Sequence, residues 1–171
     1  MVEHVLDRLV ELFSNGKAHF KLLSHPCSGK SSASVAAIRG TELGQGAKAL
    51  VCHVKGNGIK MHVLAVLPAD QQADLSKLAL ALGARRASLA SPDEVRELTG
   101  CVFGAIPPVS FHPQLKLVAD PMLYQRYDEL AFNAGQLDHS IIVDANDYRR
   151  IVHPELVEFI KSDSNLSTIA Q

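Results

Sequence analysis

A lysine on an apolar strand face is the first residue of this chain that could do chemistry. Residues 47–54 and 59–67 are two apolar, partly β-branched runs separated by Lys55-Gly56-Asn57-Gly58. Asn-Gly is a strong short-range hairpin signal. A two-residue turn at Asn57-Gly58 or at Gly56-Asn57 gives the same parity. Lys48, Leu50, Cys52 and Val54 then share a face with Met61, Val63, Ala65 and Leu67. Only Lys48 is polar there. Either it snorkels into water from the strand end, or it stands at the mouth of an apolar pocket and aims at an anionic or carbonyl group. The opposite face carries His53, His62, Lys55 and Lys60 beside Val51 and Leu64, and is expected to be the wetter one.

The second feature is the loop Cys101-Val102-Phe103-Gly104-Ala105-Ile106-Pro107-Pro108. Glycine permits close backbone approach, and the prolines fix the path. Exposed N–H groups at Gly104 and Ala105 could polarise a carbonyl or hold a water. The plain alternative is a rigid connection.

Other chemistries find less support. Gly40 to Lys48 is no phosphate-binding loop, because Ala47 separates Gly46 from Lys48 and a strand follows. The eight histidines include no H-E-x-x-H pattern. His53 and His62 should face each other across the hairpin; that pair could bind a metal, and two surface histidines is the simpler expectation. No metal or other cofactor is expected. Cys52 and Cys101 suit small buried positions, and no G-x-S-x-G elbow occurs.

The elements that must position these residues follow from periodicity. Helices are expected over 2–15, from Ser31 or Ser32 to Gly40, over 70–82, from Ser91-Pro92 to Gly100, from Asp144 or Asn146 through Ile151, and from Pro154 through Phe159. Strands are expected at 19–24, 47–54, 59–67, 86–89, 115–119, 129–133 and 140–143, with a helical turn over 121–126. This mixture without strict βαβ alternation predicts an α+β fold, a single domain with a mixed β-sheet surrounded by helices. The domain is expected over 1–160 and a polar, flexible tail over 161–171.

The whole chain fits that picture. Its 171 residues are enough to bury a core without disulfides. Seventeen basic against eighteen acidic residues argue against coating DNA or long RNA, while leaving room for a site that holds one nucleic-acid end. No apolar run is long enough to span a membrane, and the start lacks the blocks of a signal peptide. The cytoplasm is the expected compartment.

Together these segments resemble a known family. Gln45-Gly46-Ala47-Lys48-Ala49-Leu50-Val51-Cys52 before a hairpin is similar to the lysine strand of the YbaK/ProX family. Leu98-Thr99-Gly100 with Gly104 through Pro108 resembles its G-x-x-x-P loop. Phe132-Asn133-Ala134-Gly135, Ser140-Ile141-Ile142-Val143 and Asp147-Tyr148 resemble its closing strands and helix. The likeness runs from about His19 to Ile151.

Members are trans-editing aminoacyl-tRNA deacylases, related to the editing domain of prolyl-tRNA synthetases. Residues 63–74, 86–92 and 98–108, with Ser110-Phe111-His112-Pro113, look most like the subgroup that removes Ser or Thr from tRNA. The resemblance implies that the acceptor end of an aminoacyl-tRNA is the partner, with synthetases as further candidates. It implies that Lys48 holds the ester carbonyl or a nearby phosphate and that Gly104 orients ester or water. Ala105, Pro107, Pro108, Asn133 and Gly135 would complete the substrate site. It also implies that the 2′-hydroxyl of the terminal ribose assists, so no protein base is needed.

Many relatives carry glycine near Val109-Ser110-Phe111-His112. Ser110 and His112 are therefore expected either to bind the Ser or Thr hydroxyl, or simply to cap a turn and meet solvent. The competing functions are a binding module that holds aminoacyl-tRNA or an amino-acid-like ligand without turnover, and a regulatory protein with a vestigial pocket.

Overall fold

The computed structural model describes residues 4–27 and 32–162. Strands β2 (Ala47–Gly56) and β3 (Ile59–Pro68) pair antiparallel, with Gly56 opposite Ile59, so the turn is Asn57-Gly58. Both turn residues have positive φ, +55° and +80°, as a type I′ hairpin requires. Lys48 stands opposite Leu67, Leu50 opposite Ala65, Cys52 opposite Val63 and Val54 opposite Met61, which is the expected shared face.

That hairpin is the centre of a five-stranded mixed sheet. Strand β4 (Arg86–Leu89) flanks β2, and β5 (Leu115–Ala119) runs parallel to β3. The short β8 (Glu155–Leu156) runs parallel to β5. A second, antiparallel sheet joins β1 (Phe20–Ser24), β7 (His139–Asp144) and β6 (Glu129–Asn133) in that order. A bridge from Gly46 to Ala131 links the two sheets.

Helices α1 (Val5–Asn15), α2 (Ser32–Arg39), α3 (Leu75–Ala81), α4 (Pro92–Thr99) and α5 (Ala145–Val152) surround them. Helix α4 starts on Ser91, whose hydroxyl accepts from Glu94 N–H at 3.2 Å, and stops at Gly100 in the left-handed region. Asp144, rather than Asn146, caps α5 by accepting from Asp147 N–H at 2.9 Å. Ser31 and the Ser32 side chain, the expected caps of α2, lie outside what is described.

Each face of the hairpin has its own cover. Cys52, Val54, Val63, Ala65 and Leu67 pack against Leu78, Ala79, Val157 and Phe159. The other face is drier than expected. Val51 and Leu64 are buried under Val95, Cys101, Ala105 and Ile106, and only the end near Lys55 and Lys60 stays wet. Between the sheets, Leu130, Phe132, Ile141 and Val143 meet Phe13, Ala47, Val66 and Tyr148.

Two expected helical segments are extended, and they meet each other. The helix expected over 70–82 begins only at Leu75, capped by Asp74, which accepts from Lys77 N–H at 3.0 Å. No helix starts at Pro154. Residues 72–74 instead pair with 159–161: Asp74 N–H donates to Phe159 C=O, and Lys161 N–H to Gln72 C=O. The Asp120 carboxylate holds the second segment by accepting from Phe159 N–H at 2.9 Å and Ile160 N–H at 3.2 Å. Lys161, expected to open a flexible tail, is thus part of the fold; residues 163–171 lie outside the described chain. No helix of the described residues is long and apolar enough to cross a membrane.

Candidate active site

Strand β4 covers only part of β2. Its register runs from Cys52 to Lys55, with one further bond from Ala90 N–H to Val51 C=O at 2.9 Å. Strand alternation sends the Ala49 N–H and C=O to the same side as the Val51 carbonyl. Among the described residues no strand pairs with them there. The Lys48–Leu50 stretch is an open edge, and a cavity of about 260 Å³ lies along it.

The lining of this cavity is mostly apolar. Val35 and Ala36 come from α2, Ala47, Ala49 and Val51 from β2, and Phe103 and Ile106 from the loop after α4. Its polar residues are Arg39, Lys48 and Asn133, joined by the backbone of Gly104. None of the described lining residues is a Ser, Thr, Cys, His, Asp or Glu. Among the described residues, the cavity therefore offers cations and amides but no Ser, Thr or Cys nucleophile and no carboxylate or imidazole base.

Lys48 is half-buried, and its Nζ donates to the Gln71 carbonyl at 2.8 Å. Burial pulls its pKa below the usual lysine value, and the charge of Asp70 opposes that shift. Asp70 is engaged elsewhere. Arg126 grips both of its oxygens at 2.7 Å and holds its carboxyl below the ordinary range. Among the described residues, Lys48 Nζ therefore has no bonded carboxylate.

Gly104 sits at φ +85°, a conformation that favours glycine. Its carbonyl accepts from Asn133 Nδ2, and its N–H has no hydrogen-bond partner among the described residues. The expectation for Ala105 needs correction. Its N–H is spent on Val102 C=O at 3.1 Å and its side is buried.

Lys48, Gly104 and Asn133 are thus brought to one cavity, and the other expected residues stand behind it. Ala105 C=O receives Gly135 N–H at 2.9 Å. Pro107 and Pro108 are buried, and the Pro108 carbonyl accepts from the Tyr148 hydroxyl at 2.6 Å. These four residues hold the Gly104 loop in place and do not line the cavity.

Ser110 and His112 also lie off the cavity. The Ser110 hydroxyl donates to Leu115 C=O at 2.7 Å, and His112 Nδ1 accepts from Gln114 N–H at 3.1 Å. Both brace the turn into β5. Changing both to alanine is therefore expected to lower stability while leaving the ratio of Ser-tRNA to Ala-tRNA hydrolysis unchanged. Rates on the two charged tRNAs check this; a ratio shifted severalfold would restore them as selectivity residues.

Arg39 escaped the sequence reading. Its Nε donates to Ser140 Oγ at 2.8 Å and an Nη to Asn133 Oδ1 at 3.0 Å. Burial pushes its pKa down to about 10, which leaves it charged at neutral pH. The signal was present: Arg39 follows Val35 and Ala36 at helical spacing, so it lies on the buried stripe of α2.

A family model described as the aminoacyl-tRNA editing domain matches residues 28–151. A curated protein of Escherichia coli (strain K12), the multifunctional Ser/Thr-tRNA deacylase ProXp-y, is 66% identical over 153 residues, covering 90% of this chain and 91% of its own. The chain belongs to the aminoacyl-tRNA editing domain family. The fold of this editing domain recurs in solved structures of low identity. One, assigned as a trans-editing enzyme for prolyl tRNA synthetase, aligns at TM-score 0.76 with 22% identity over 95% of this chain and all of the other. Another, the hypothetical protein APE2540, aligns at 0.78 with 21% identity over 90% and 99%. The cavity, with Lys48, Gly104 and Asn133, falls within the matched span of the editing domain.

Proposed function

We propose that this protein is a trans-editing hydrolase that cleaves the aminoacyl ester of mischarged tRNA, with Ser-tRNA and Thr-tRNA as its substrates. The observation that carries this reading is the cavity itself: mostly apolar, rimmed by Arg39 and Lys48, and with no Ser, Thr or Cys side chain among its described lining residues. Such a lining supports attack by water on an ester that is already activated. The similarity to a Ser/Thr-tRNA deacylase supports the substrate class.

The cavity is small against the roughly 300–1,000 Å³ of sites that enclose whole ligands. It suits a small aminoacyl group entering from the acceptor end. Lys48 would stabilise the carbonyl oxygen as it gains charge, or hold the adjoining phosphate. The free Gly104 N–H would orient ester or water. The ribose 2′-hydroxyl of the substrate would accept the water's proton while passing its own to the neighbouring ester oxygen, so the proton is relayed to the leaving group. Collapse of the tetrahedral intermediate then breaks the bond to the ribose oxygen, which is protonated, and free amino acid and tRNA leave. Positioning and fixed dipoles together supply several kcal/mol. An aminoacyl-tRNA synthetase is the proposed protein partner, as the source of the wrong ester, and the cytoplasm the proposed place of action.

The test is a panel of mischarged tRNAs incubated with purified protein. Multiple turnovers releasing serine or threonine are expected; saturable tRNA binding without release would make the protein a binding module. Arg39→Ala should slow this hydrolysis about tenfold, the value of one charge-assisted contact. Arg39→Lys should restore only part, because an ammonium cannot reach Ser140 and Asn133 as a planar fork does. Wild-type rates in Arg39→Ala would remove Arg39 from the site.

A further inference from the structure

We propose that His53, His62 and Glu94 form a binding site for one divalent transition-metal ion, with Zn2+ the best match, outside the deacylase cavity. The three residues offer ligand atoms that all lie within 4.8 Å of one another. None of them lines the cavity.

Rigid elements deliver them. His53 and His62 are cross-strand partners in the hairpin of β2 and β3, with rings stacked 4.7 Å apart and 8° from parallel. Glu94 comes from the first turn of α4, and its Oε2 lies 3.0 Å from His62 Nε2.

One atom has no other use in the fold. His53 Nε2 is shut off from solvent and makes no hydrogen bond among the described residues. A buried ring nitrogen left without a partner is unfavourable. A metal ion would satisfy it. The same ion would replace the proton that His62 Nε2 and Glu94 Oε2 share.

Two imidazoles and a carboxylate form a donor set that zinc accepts, whereas magnesium and calcium prefer oxygen alone. Zinc bonds of about 2.0–2.1 Å would bring the more distant of these atoms, now within 4.8 Å of one another, closer together. Both rings must rotate out of their parallel stack to share the ion, since a metal lies in the plane of the imidazole that holds it. The His62 and Glu94 side chains are 28% and 40% exposed, so an ion can enter and keep water as its fourth ligand. Lys55 and Lys60, next along the same face, oppose the ion's charge. Micromolar affinity is expected, below that of a closed four-ligand site.

The bound ion would pin α4 to the hairpin that carries Lys48. Helix α4 runs directly into the loop that carries Gly104. The site would thus brace two walls of the cavity from a distance.

The experiment titrates the full-length, metal-stripped protein with Zn2+ by calorimetry, and with Co2+ followed by its visible spectrum. One saturable site per chain is expected, with a Co2+ spectrum of nitrogen and oxygen ligation and a higher Tm on loading. His53→Ala should abolish binding and Glu94→Gln should weaken it at least tenfold. His139→Ala, remote from the cluster, should change nothing. Glu94 is exposed enough that its variant folds even if His53→Ala does not. Absence of a saturable site, or uptake unaltered in both variants, overturns the proposal.

Discussion

Lys48→Ala is expected to slow hydrolysis of mischarged tRNA at least about tenfold while leaving the protein folded. A hydrogen bond to a charged group contributes about 1.5–3 kcal/mol, and each ~1.4 kcal/mol of barrier is a factor of ten in rate. Among the described residues, Lys48 Nζ gives one bond, to the Gln71 carbonyl on a half-exposed segment. Water can replace that donor. The stability of the variant should therefore match wild type within about 1 kcal/mol. Single-turnover deacylation beside a thermal melt separates the two effects. Full activity in the variant would reduce Lys48 to a snorkelling edge residue. Equal losses of activity and stability would make its role structural.

The largest loss of stability is expected from Asp120→Ala, about 3–5 kcal/mol. Asp120 is only 5% exposed. Its carboxylate accepts from Met122 N–H at 2.9 Å as well as from Phe159 and Ile160. Removing it strands three backbone donors, each costing about 1–3 kcal/mol where no water reaches. Asp120→Asn keeps one acceptor oxygen and should lose about half as much. For a chain of this length each kcal/mol lowers Tm by about 2–4 °C, so the alanine variant should melt roughly 10 °C early. A shift of under about 2 °C would show that the closing segment is held by its apolar contacts alone.

Asp120 also explains where the sequence misled. The run from Pro154 to Phe159 has a proline start and apolar residues that a helix could use. In the structure Val157 and Phe159 are buried and Glu158 between them is exposed, a period of two. What selects that period is a carboxylate some forty residues earlier and the partner backbone at 72–74, neither of which is local. The hairpin was legible because its information is local: alternation, Asn-Gly and Lys48 all lie within 47–67. Gly104 was singled out by the glycine and prolines of its own loop, and Asn133 by resemblance to a family. Their meeting, through Asn133 Nδ2 and the Gly104 carbonyl, depends on two sheets coming together. For Ser110 and His112 the sequence left open a bound amino acid or a braced turn, because a position just after two prolines says nothing about which way the next turn faces. Arg39 was overlooked because a basic residue in the last turn of a helix already has a sufficient reason to be there.

The uncovered edge of β2 exposes the molecule to self-association. Unpaired backbone groups on a strand edge are a template for any other extended chain, including a second copy of this one. Here the risk is contained by position and charge. The open stretch is only Lys48–Leu50, closed at one end by the Gly46–Ala131 bridge and at the other by β4. Residues of α2 and Phe103 wall it in, and Arg39 and Lys48 would repel an identical edge. The same two cations proposed to meet an anionic acceptor end would thus also act as gatekeepers against fibre-like stacking. A variant that neutralises both would lose more than activity: it would remove the charge that keeps this edge from recruiting its own kind.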